Sequence, residues 1–245
     1  MIQLQIENNI ALVTICRPER RNALDFDHWS QLQHIFTEVS STDLDGLIIT
    51  GSSDIFAAGA DIQQLVERKP LDALKGVSQN TMRLLEELPF VSVAAINGHA
   101  LGGGCEIALA CDMRLAVPLA KIGLPEVGLG IIPAGGGTHR LPRVVGYAKA
   151  LELIITGLPV SGDEALRIGL VNRLVQPENL LDEAQELVTQ IGRQGRVAVN
   201  LVRQMLRIGS TNAELGMLME KLASATLYSD EDRSLRMNRF LTKNK

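Results

Sequence analysis

The sequence has few aromatic residues, few cysteines and little net charge. Only eight of the 245 residues are Phe, Tyr or Trp, and none alternate with basic runs, which argues against a base-stacking platform for nucleic acid. The formal net charge of −4 is too small to indicate a nucleic-acid or membrane partner. The three cysteines, Cys16, Cys105 and Cys111, lack CxxC spacing and are typical of reduced thiols in a cytosol-like compartment.

Long hydrophobic runs are also missing. The first apolar run, residues 10–16, is short and has no basic segment ahead of it, unlike a secretory signal. The longest uncharged stretch, residues 88–105, contains Pro89, Asn97 and four glycines, which makes it a poor membrane span. We therefore expect a soluble, cytoplasmic protein with no membrane partner.

Several catalytic and binding signatures are absent from the sequence. It contains no GxxxxGK[ST], GxGxxG, HExxH or GxSxG, the motifs of P-loops, Rossmann folds, zinc proteases and serine hydrolases. The four histidines have no ligand spacing with cysteines or carboxylates. The sequence therefore predicts no metal site and gives no sign of a nucleotide-phosphate loop or a nucleophilic serine.

The order of predicted elements indicates an α/β fold. Strand-like runs such as Val91–Ile96 alternate with helical segments up to about residue 140, and the chain is mostly helical beyond it. Eleven of the 22 glycines lie between Gly98 and Gly146. Because glycine allows positive φ and close approach to a ligand, this concentration predicts a site built from main chain.

Two glycine-bearing turns and two carboxylates remain as candidate functional elements. The turns are residues 56–62 and 97–106, and the second leads into a predicted helix that begins at Gly103. The first N–H groups of a helix have no intrahelical partner and suit an oxyanion. Glu106 follows Gly103 by three residues and so lies on the same helix face. Glu126 is the second carboxylate and precedes another glycine-rich loop.

Each of these features also has a purely structural interpretation. Glu106 could stabilise the helix dipole, and Glu126 could be a solvated loop acid. The glycines at 102–104 could form only a tight strand-to-helix connection, and Asp61 could cap a helix rather than contact a ligand. Spacing alone leaves these alternatives open.

Taken together, the motifs resemble the crotonase, or enoyl-CoA hydratase/isomerase, superfamily. The resemblance covers nearly the whole chain, and its motifs run in order: Arg17-Pro-Glu-Arg-Arg-Asn-Ala-Leu24, Phe56-Ala-Ala-Gly-Ala-Asp-Ile62, Ala95-Ile-Asn-Gly-His-Ala-Leu-Gly-Gly-Gly-Cys-Glu106, Cys111-Asp112, Gly123-Leu-Pro-Glu126, and Gly128-Leu-Gly-Ile-Ile-Pro-Ala-Gly-Gly-Gly-Thr-His-Arg-Leu141. No single motif is specific, but the ordered combination is.

The resemblance implies a fold and a set of partners. The fold is a crotonase-like spiral of ββα turns over residues 1–192, which carries the active site. A helical C-terminal region over residues 193–245 serves trimerisation, as a trimer or a dimer of trimers. The partner is an acyl-CoA thioester substrate rather than a nucleic acid or a membrane. No cofactor is expected, since coenzyme A is part of the substrate.

The resemblance also implies roles for particular residues. The backbone N–H groups of Ala60 and Gly103 form the oxyanion hole for the thioester carbonyl, and Glu106 and Glu126 are the catalytic pair. The residues expected to bind the substrate or its coenzyme A are Ala58, Ala60, Asp61, Ile62 and Gly103.

A glutamate at both catalytic positions resembles the hydratases of the superfamily, which add water syn to a 2-enoyl-CoA. By this resemblance Glu106 activates the water and Glu126 protonates the α-carbon. The alternatives are an isomerase or another lyase that works through a coenzyme A enolate, and a catalytically silent binding scaffold.

Overall fold

A computed structural model describes residues 1–209 and 212–243 of the chain. The chain divides into two compact units, Met1–Val188 and Thr189–Lys245. The domain boundary predicted from the sequence lies after residue 192, at the end of the helix Leu180–Gly192. Residues 210, 211, 244 and 245 of the predicted C-terminal region lie outside the described residues.

The first unit carries the strands. In chain order they are β1 (Ile2–Glu7), β2 (Ile10–Ile15), β3 (Gly46–Gly51), β4 (Ile55–Ala57), β5 (Val91–Ile96), β6 (His99–Leu101), β7 (Met113–Ala116), β8 (Lys121–Gly123), β9 (Val160–Ser161) and β10 (Arg173–Leu174).

The helices lie between these strands and after them. They are α1 (Phe26–Val39), α2 (Ile62–Glu67), α3 (Pro70–Leu74), α4 (Val77–Glu86), α5 (Gly103–Ala110), α6 (Gly137–Val145), α7 (Tyr147–Thr156), α8 (Gly162–Arg167), α9 (Leu180–Gly192), α10 (Arg196–Gly209), α11 (Ala213–Tyr228) and α12 (Glu231–Lys243).

The strands form two sheets that the chain visits in turn. The larger sheet has the order β1-β2-β3-β5-β7-β10, and the smaller has the order β4-β6-β8-β9. Each of the pairs β3–β4, β5–β6 and β7–β8 contributes one strand to each sheet before the chain enters a helix. Neighbouring turns pair in parallel, as in β3 with β5 and β4 with β6. The predicted spiral of ββα turns is therefore confirmed.

The apolar runs of the sequence occupy the centre of the larger sheet. Every residue of β3 and β5 is buried, as expected for parallel strands covered on both faces. Helix α1 begins after Asp25, whose side chain accepts a hydrogen bond from the backbone N–H of His28. The buried face of α1 carries Trp29 and Phe36.

Two helical stretches of the first unit are divided into shorter helices. The segment 62–88 forms three short helices, because Pro70 starts a new helix and Gly76 takes a left-handed conformation before α4. The segment 141–155 is divided between α6 and α7 at Gly146, whose φ is +80°. The first of these stretches supplies Ile62, Leu65, Arg68 and Ser78 to the lining of the cavity described below.

The second unit is helical. Arg236 of α12 donates hydrogen bonds to the carbonyls of Arg193 and Gln194. Large apolar side chains are exposed on its helices: Val197, Val202, Leu206, Leu215, Met217, Leu218, Leu222, Tyr228, Leu235, Met237, Phe240 and Leu241. Throughout residues 1–209 and 212–243, no helix has both the length and the hydropathy needed to cross a bilayer.

Candidate active site

The first glycine-bearing turn leaves a backbone N–H free. Leu24 pairs with Ala60 as an isolated parallel bridge, through Leu24 N–H to the Gly59 carbonyl (2.8 Å) and Asp61 N–H to the Leu24 carbonyl (2.9 Å). These bonds use the carbonyl of Gly59 and the N–H of Asp61, the residues on either side of Ala60. The N–H of Ala60 itself has no partner among the described residues. Gly59 has φ +102°, which a residue with a side chain rarely adopts.

The second turn places another free N–H at the start of α5. Gly102 donates its N–H to the Gly123 carbonyl (2.9 Å) and has φ +50°. Gly103 is the first residue of α5, as predicted, and no described group accepts a hydrogen bond from its N–H. A Cβ on Gly103 would lie 3.2 Å from Trp29 Cζ2, so packing against this ring leaves little room for a side chain.

The two turns lie directly against each other. A Cβ built on Gly59 would be 3.0 Å from the Leu101 carbonyl oxygen and 3.5 Å from the Gly103 nitrogen. Ala60 and Gly103 both line one cavity of about 450 Å³. Two unpartnered main-chain donors on one cavity wall have the composition of an oxyanion-binding site.

Glu106 is a buried carboxylate that is held by two backbone donors. Its side chain is 4% exposed, and Oε1 accepts hydrogen bonds from the N–H groups of Gly135 (2.7 Å) and Gly137 (2.9 Å). The pKa of Glu106 is raised to about 7, chiefly by burial and also by the nearby Glu126, while the two backbone donors act in the opposite direction. Glu106 therefore exchanges a proton close to neutral pH.

Glu126 is the second carboxylate of the cavity and has a different environment. It begins a short 3-10 turn after Pro125, and burial raises its pKa above the usual range for a glutamate. Its Oε2 is buried and accepts no hydrogen bond from any described residue. A Cβ on Gly102 would lie 3.2 Å from Glu126 Oε1, so this side chain packs against the turn that presents Gly103.

The cavity brings most of the predicted site residues together. Its lining includes Ala58, Ala60, Ile62, Gly103, Glu106 and Glu126. Asp61 does not line this cavity. It lines a neighbouring cavity of about 30 Å³ instead, caps α2 by accepting the Gln63 N–H (3.0 Å), and pairs with Arg17 at 2.9 Å. Asp61 thus shapes the turn next to Ala60.

The rest of the lining is mostly apolar. It comprises Trp29, Gly59, Leu65, Arg68, Ser78, Gly102, Pro125, Gly128, Leu129, Ile131, Ile132, Ala134 and Gly135. A cavity of this size with few polar groups is typical of a small-molecule site. The described residues contain no cluster of His, Cys, Asp or Glu that could hold a metal ion.

Sequence reasoning missed the group that supports Glu106. Arg140 of α6 donates to the Gly135 carbonyl at 2.8 Å and forms a two-pronged ion pair with Glu86 of α4, at 2.8 and 2.7 Å. This pair fixes the segment whose N–H groups bind Glu106. The run of glycines at 135–137 was the only signal in the sequence, and it did not identify the carboxylate that those donors bind.

The arrangement can perform proton transfer next to a polarised carbonyl. Two main-chain donors can bind an oxygen that gains negative charge, and two carboxylates with raised pKa can exchange protons with groups beside it. Glu126 raises the pKa of Glu106, because two negative charges so close together repel each other. The pair therefore resists losing its last proton.

Comparison with known proteins shows the same architecture and sequence pattern. The family model for enoyl-CoA hydratase/isomerase matches residues 5–245. The chain is 40% identical to the short-chain-enoyl-CoA hydratase of Clostridium acetobutylicum, over 99% of this chain and 95% of that protein. It is 41% identical to the crotonyl-CoA hydratase of Syntrophomonas wolfei, over 100% of this chain and 96% of that protein.

A solved structure gives the same result for the fold. The structure of an enoyl-CoA hydratase from Bacillus anthracis superposes with a TM-score of 0.94 at 34% sequence identity, covering 99% of this chain and 96% of that one. The crotonase-like fold is therefore confirmed. On sequence and structure alike, the chain belongs to the enoyl-CoA hydratase/isomerase family.

Proposed function

We propose that this protein is an enoyl-CoA hydratase, a hydro-lyase that adds water syn across the double bond of a 2-enoyl-CoA to give a 3-hydroxyacyl-CoA. One observation carries the proposal: two glutamates with raised pKa line the same cavity as two free main-chain donors. The names of relatives at 40% and 41% identity support the same reaction.

The N–H groups of Ala60 and Gly103 act as the oxyanion hole in this proposal. They bind the thioester carbonyl oxygen, which gains negative charge as the enolate forms. Removing one such donor typically costs about 2.7–4 kcal/mol of transition-state stabilisation. Both donors belong to the main chain, so they are placed by the folding of the two turns and need no side-chain reorientation.

The two glutamates divide the acid–base work. Glu106 accepts a proton from water as the water oxygen bonds to C3, and Glu126 donates a proton to C2. The net change is addition of H and OH, and the proton left on Glu106 returns to Glu126 before the next turnover. General acid–base groups of this kind contribute about 10²–10⁴-fold each.

The turn 58–62 and Gly103 bind the substrate. Ala58, Ala60, Ile62 and Gly103 line the cavity, and Asp61 acts by holding the turn through its bonds to Arg17 and Gln63. The substrate brings coenzyme A with it, and no separate cofactor or metal takes part.

The second unit serves self-association, as a trimer or a dimer of trimers, in our proposal. Among the described residues its helices expose twelve large apolar side chains, and apolar surface of that extent is typical of an interface. The domain roles are accordingly catalysis in residues 1–192 and trimerisation in residues 193–245. We place the protein in the cytoplasm, since its three cysteines are free thiols.

Hydration of crotonyl-CoA, followed as loss of the conjugated enoyl-thioester absorbance, tests the reaction. We expect rapid loss with the protein and at least a ~10²-fold slower loss with Glu126→Gln. Binding of acyl-CoA without hydration would overturn the hydratase and indicate a different enolate reaction of the family, such as isomerisation. Absence of both hydration and acyl-CoA binding would indicate a non-catalytic member.

A further inference from the structure

Arg68 is the one cationic side chain among the described residues that line the cavity. It follows α2 directly and turns the chain toward α3, with φ −68° and ψ 131°. Trp29, Leu65 and Ser78 line the same cavity. Together with Arg68 they also line the small neighbouring cavity. A guanidinium therefore lies in a wall that is otherwise mostly apolar.

The hydrogen-bonding groups of Arg68 are largely unused. Nη2 donates to the Asp72 carbonyl at 3.3 Å, which is a long bond for this pair of atoms. Nε is buried and has no acceptor, and no carboxylate in the part of the chain that the structure describes forms an ion pair with Arg68. Arg68 is half-buried, and a buried donor without a partner costs free energy, so a ligand that brings an acceptor to Nε removes that cost.

The group that satisfies a guanidinium best is an anionic oxygen. A carboxylate or a phosphate can accept two parallel N–H bonds from arginine, and the pair is stronger in a poorly solvated wall than in water. An enoyl-CoA offers such oxygens in two places, the phosphates of coenzyme A and the far end of an acyl chain that carries a second carboxylate.

The cavity favours the acyl end. If Ala60 and Gly103 hold the thioester carbonyl, the first phosphate is separated from it by the long, uncharged pantetheine arm. Arg68 lines the same cavity of about 450 Å³ as Glu106 and Glu126. A charged group that enters this cavity with the reacting double bond belongs to the acyl chain rather than to the nucleotide.

We propose that Arg68 makes this protein selective for 2-enedioyl-CoA substrates, in which the acyl chain ends in a carboxylate that pairs with the guanidinium. The inference rests on the hydratase function proposed above and specifies its substrate class. A neutral chain of the same length would leave the buried Nε of Arg68 without an acceptor, so the same residue that attracts the dicarboxylic substrate disfavours the neutral one.

Two thioesters of equal length test the proposal: hex-2-enedioyl-CoA, which ends in a carboxylate, and hex-2-enoyl-CoA, which ends in a methyl group. We expect the wild-type protein to hydrate the first with a kcat/KM at least about tenfold higher, the ratio that 1.4 kcal/mol of differential binding gives. Arg68→Met should raise KM for the dicarboxylic substrate and lower it for the neutral one, which reverses the preference. Arg68→Lys should retain part of the preference, because the charge remains without the planar fork.

Arg83→Met is the matched control for loss of one positive charge. Arg83 lies on α4, is 61% exposed and pairs with Glu87, and its removal should leave the ratio of the two substrates unchanged. If Arg68→Met lowers kcat/KM equally for both substrates, the proposal is wrong. Arg68 would then bind a coenzyme A phosphate or support only the fold. An unchanged ratio would overturn it as well.

Failure of this inference is distinguishable from failure of the hydratase function. If crotonyl-CoA is hydrated but the wild-type protein shows no preference between the two six-carbon substrates, the selectivity is wrong and the hydratase stands. If crotonyl-CoA and both six-carbon substrates remain unhydrated, the hydratase function and the selectivity fall together.

Discussion

The two glutamates of the cavity lie in different surroundings, and the contrast indicates how the site separates their roles. Glu106 is fixed: one oxygen accepts two backbone N–H groups from the segment 135–137. Glu126 packs against Gly102, and its Oε2 receives no hydrogen bond from the described residues. One carboxylate is oriented by the protein, whereas the other keeps an oxygen available for a ligand.

That difference matters because both groups have a raised pKa for the same main reason, which is burial. What distinguishes them is the partner of each oxygen, since fixed N–H donors favour the ionised form and orient its lone pairs. A group that must accept a proton from a positioned water benefits from such fixation. A group that must deliver a proton to carbon needs an oxygen not already committed to the main chain.

The largest effect is expected from removing either carboxylate. Glu106→Gln and Glu126→Gln should each lower kcat by at least ~10²-fold, because each removes one acid–base group. Glutamine at 106 keeps an oxygen that can accept the N–H groups of Gly135 and Gly137, so the fold should survive. The assay is crotonyl-CoA hydration, with circular dichroism and acyl-CoA binding as controls for folding. Near-wild-type hydration by either variant would contradict the two-glutamate mechanism.

The proton shared by the pair predicts the pH dependence. Hydration needs one carboxylate to accept a proton and the other to donate one, so the active form of the pair holds one proton. With the pKa of Glu106 raised to about 7, that last proton leaves as the pH rises through 7. We expect kcat/KM to fall about tenfold per pH unit above this limb. A profile of kcat/KM that is still rising at pH 9 would show that the last proton is not required.

A smaller effect is expected from displacing Glu106 without removing it. A Cβ on Gly135 would lie 2.5 Å from Glu106 Oε2 and 2.9 Å from its Cδ. Gly135→Ala should therefore push this carboxylate out of place and lower kcat by about tenfold or more, the order of loss that misplacement of a catalytic group produces. Gly195→Ala is the control, since its Cβ would meet its neighbours only at ordinary distances, the nearest at 3.5 Å. Equal activity in both variants would show that Glu106 tolerates the shift.

The sequence predicted those features of the fold and site that depend on residues close together in the chain. The start of α5 at Gly103 and the position of Glu106 one turn later follow from short spacings and appear in the structure. The buried strand β5 was visible as a continuous apolar run. By contrast, β4, β6 and β8 have three residues each, too few to show a period, and only the family resemblance implied them.

The support of Glu106 could not be predicted because it joins distant segments. Gly135 and Gly137 lie 29 and 31 residues beyond Glu106, and Arg140 lies 54 residues beyond Glu86. No periodicity links positions at these separations, and the spiral brings them together only when whole turns stack. Arg68, whose Nε is buried without an acceptor, is a similar case, since its significance depends on which cavity it lines.

The smallest and most specific effect is expected at Arg140, which touches neither glutamate of the pair. Arg140 binds the Gly135 carbonyl and Glu86, and its positive charge lowers the pKa of Glu106. Arg140→Met should loosen the segment 135–137, reduce kcat several-fold and move the high-pH limb of kcat/KM upward, because Glu106 loses both a nearby charge and the order of its N–H donors. Arg143→Met, on the exposed face of the same helix, should leave the limb in place. If Arg140→Met lowers kcat but leaves the high-pH limb of kcat/KM in place, Arg140 supports only the fold. If the limb moves to higher pH and Arg140→Lys largely restores it, Arg140 is the residue that positions Glu106.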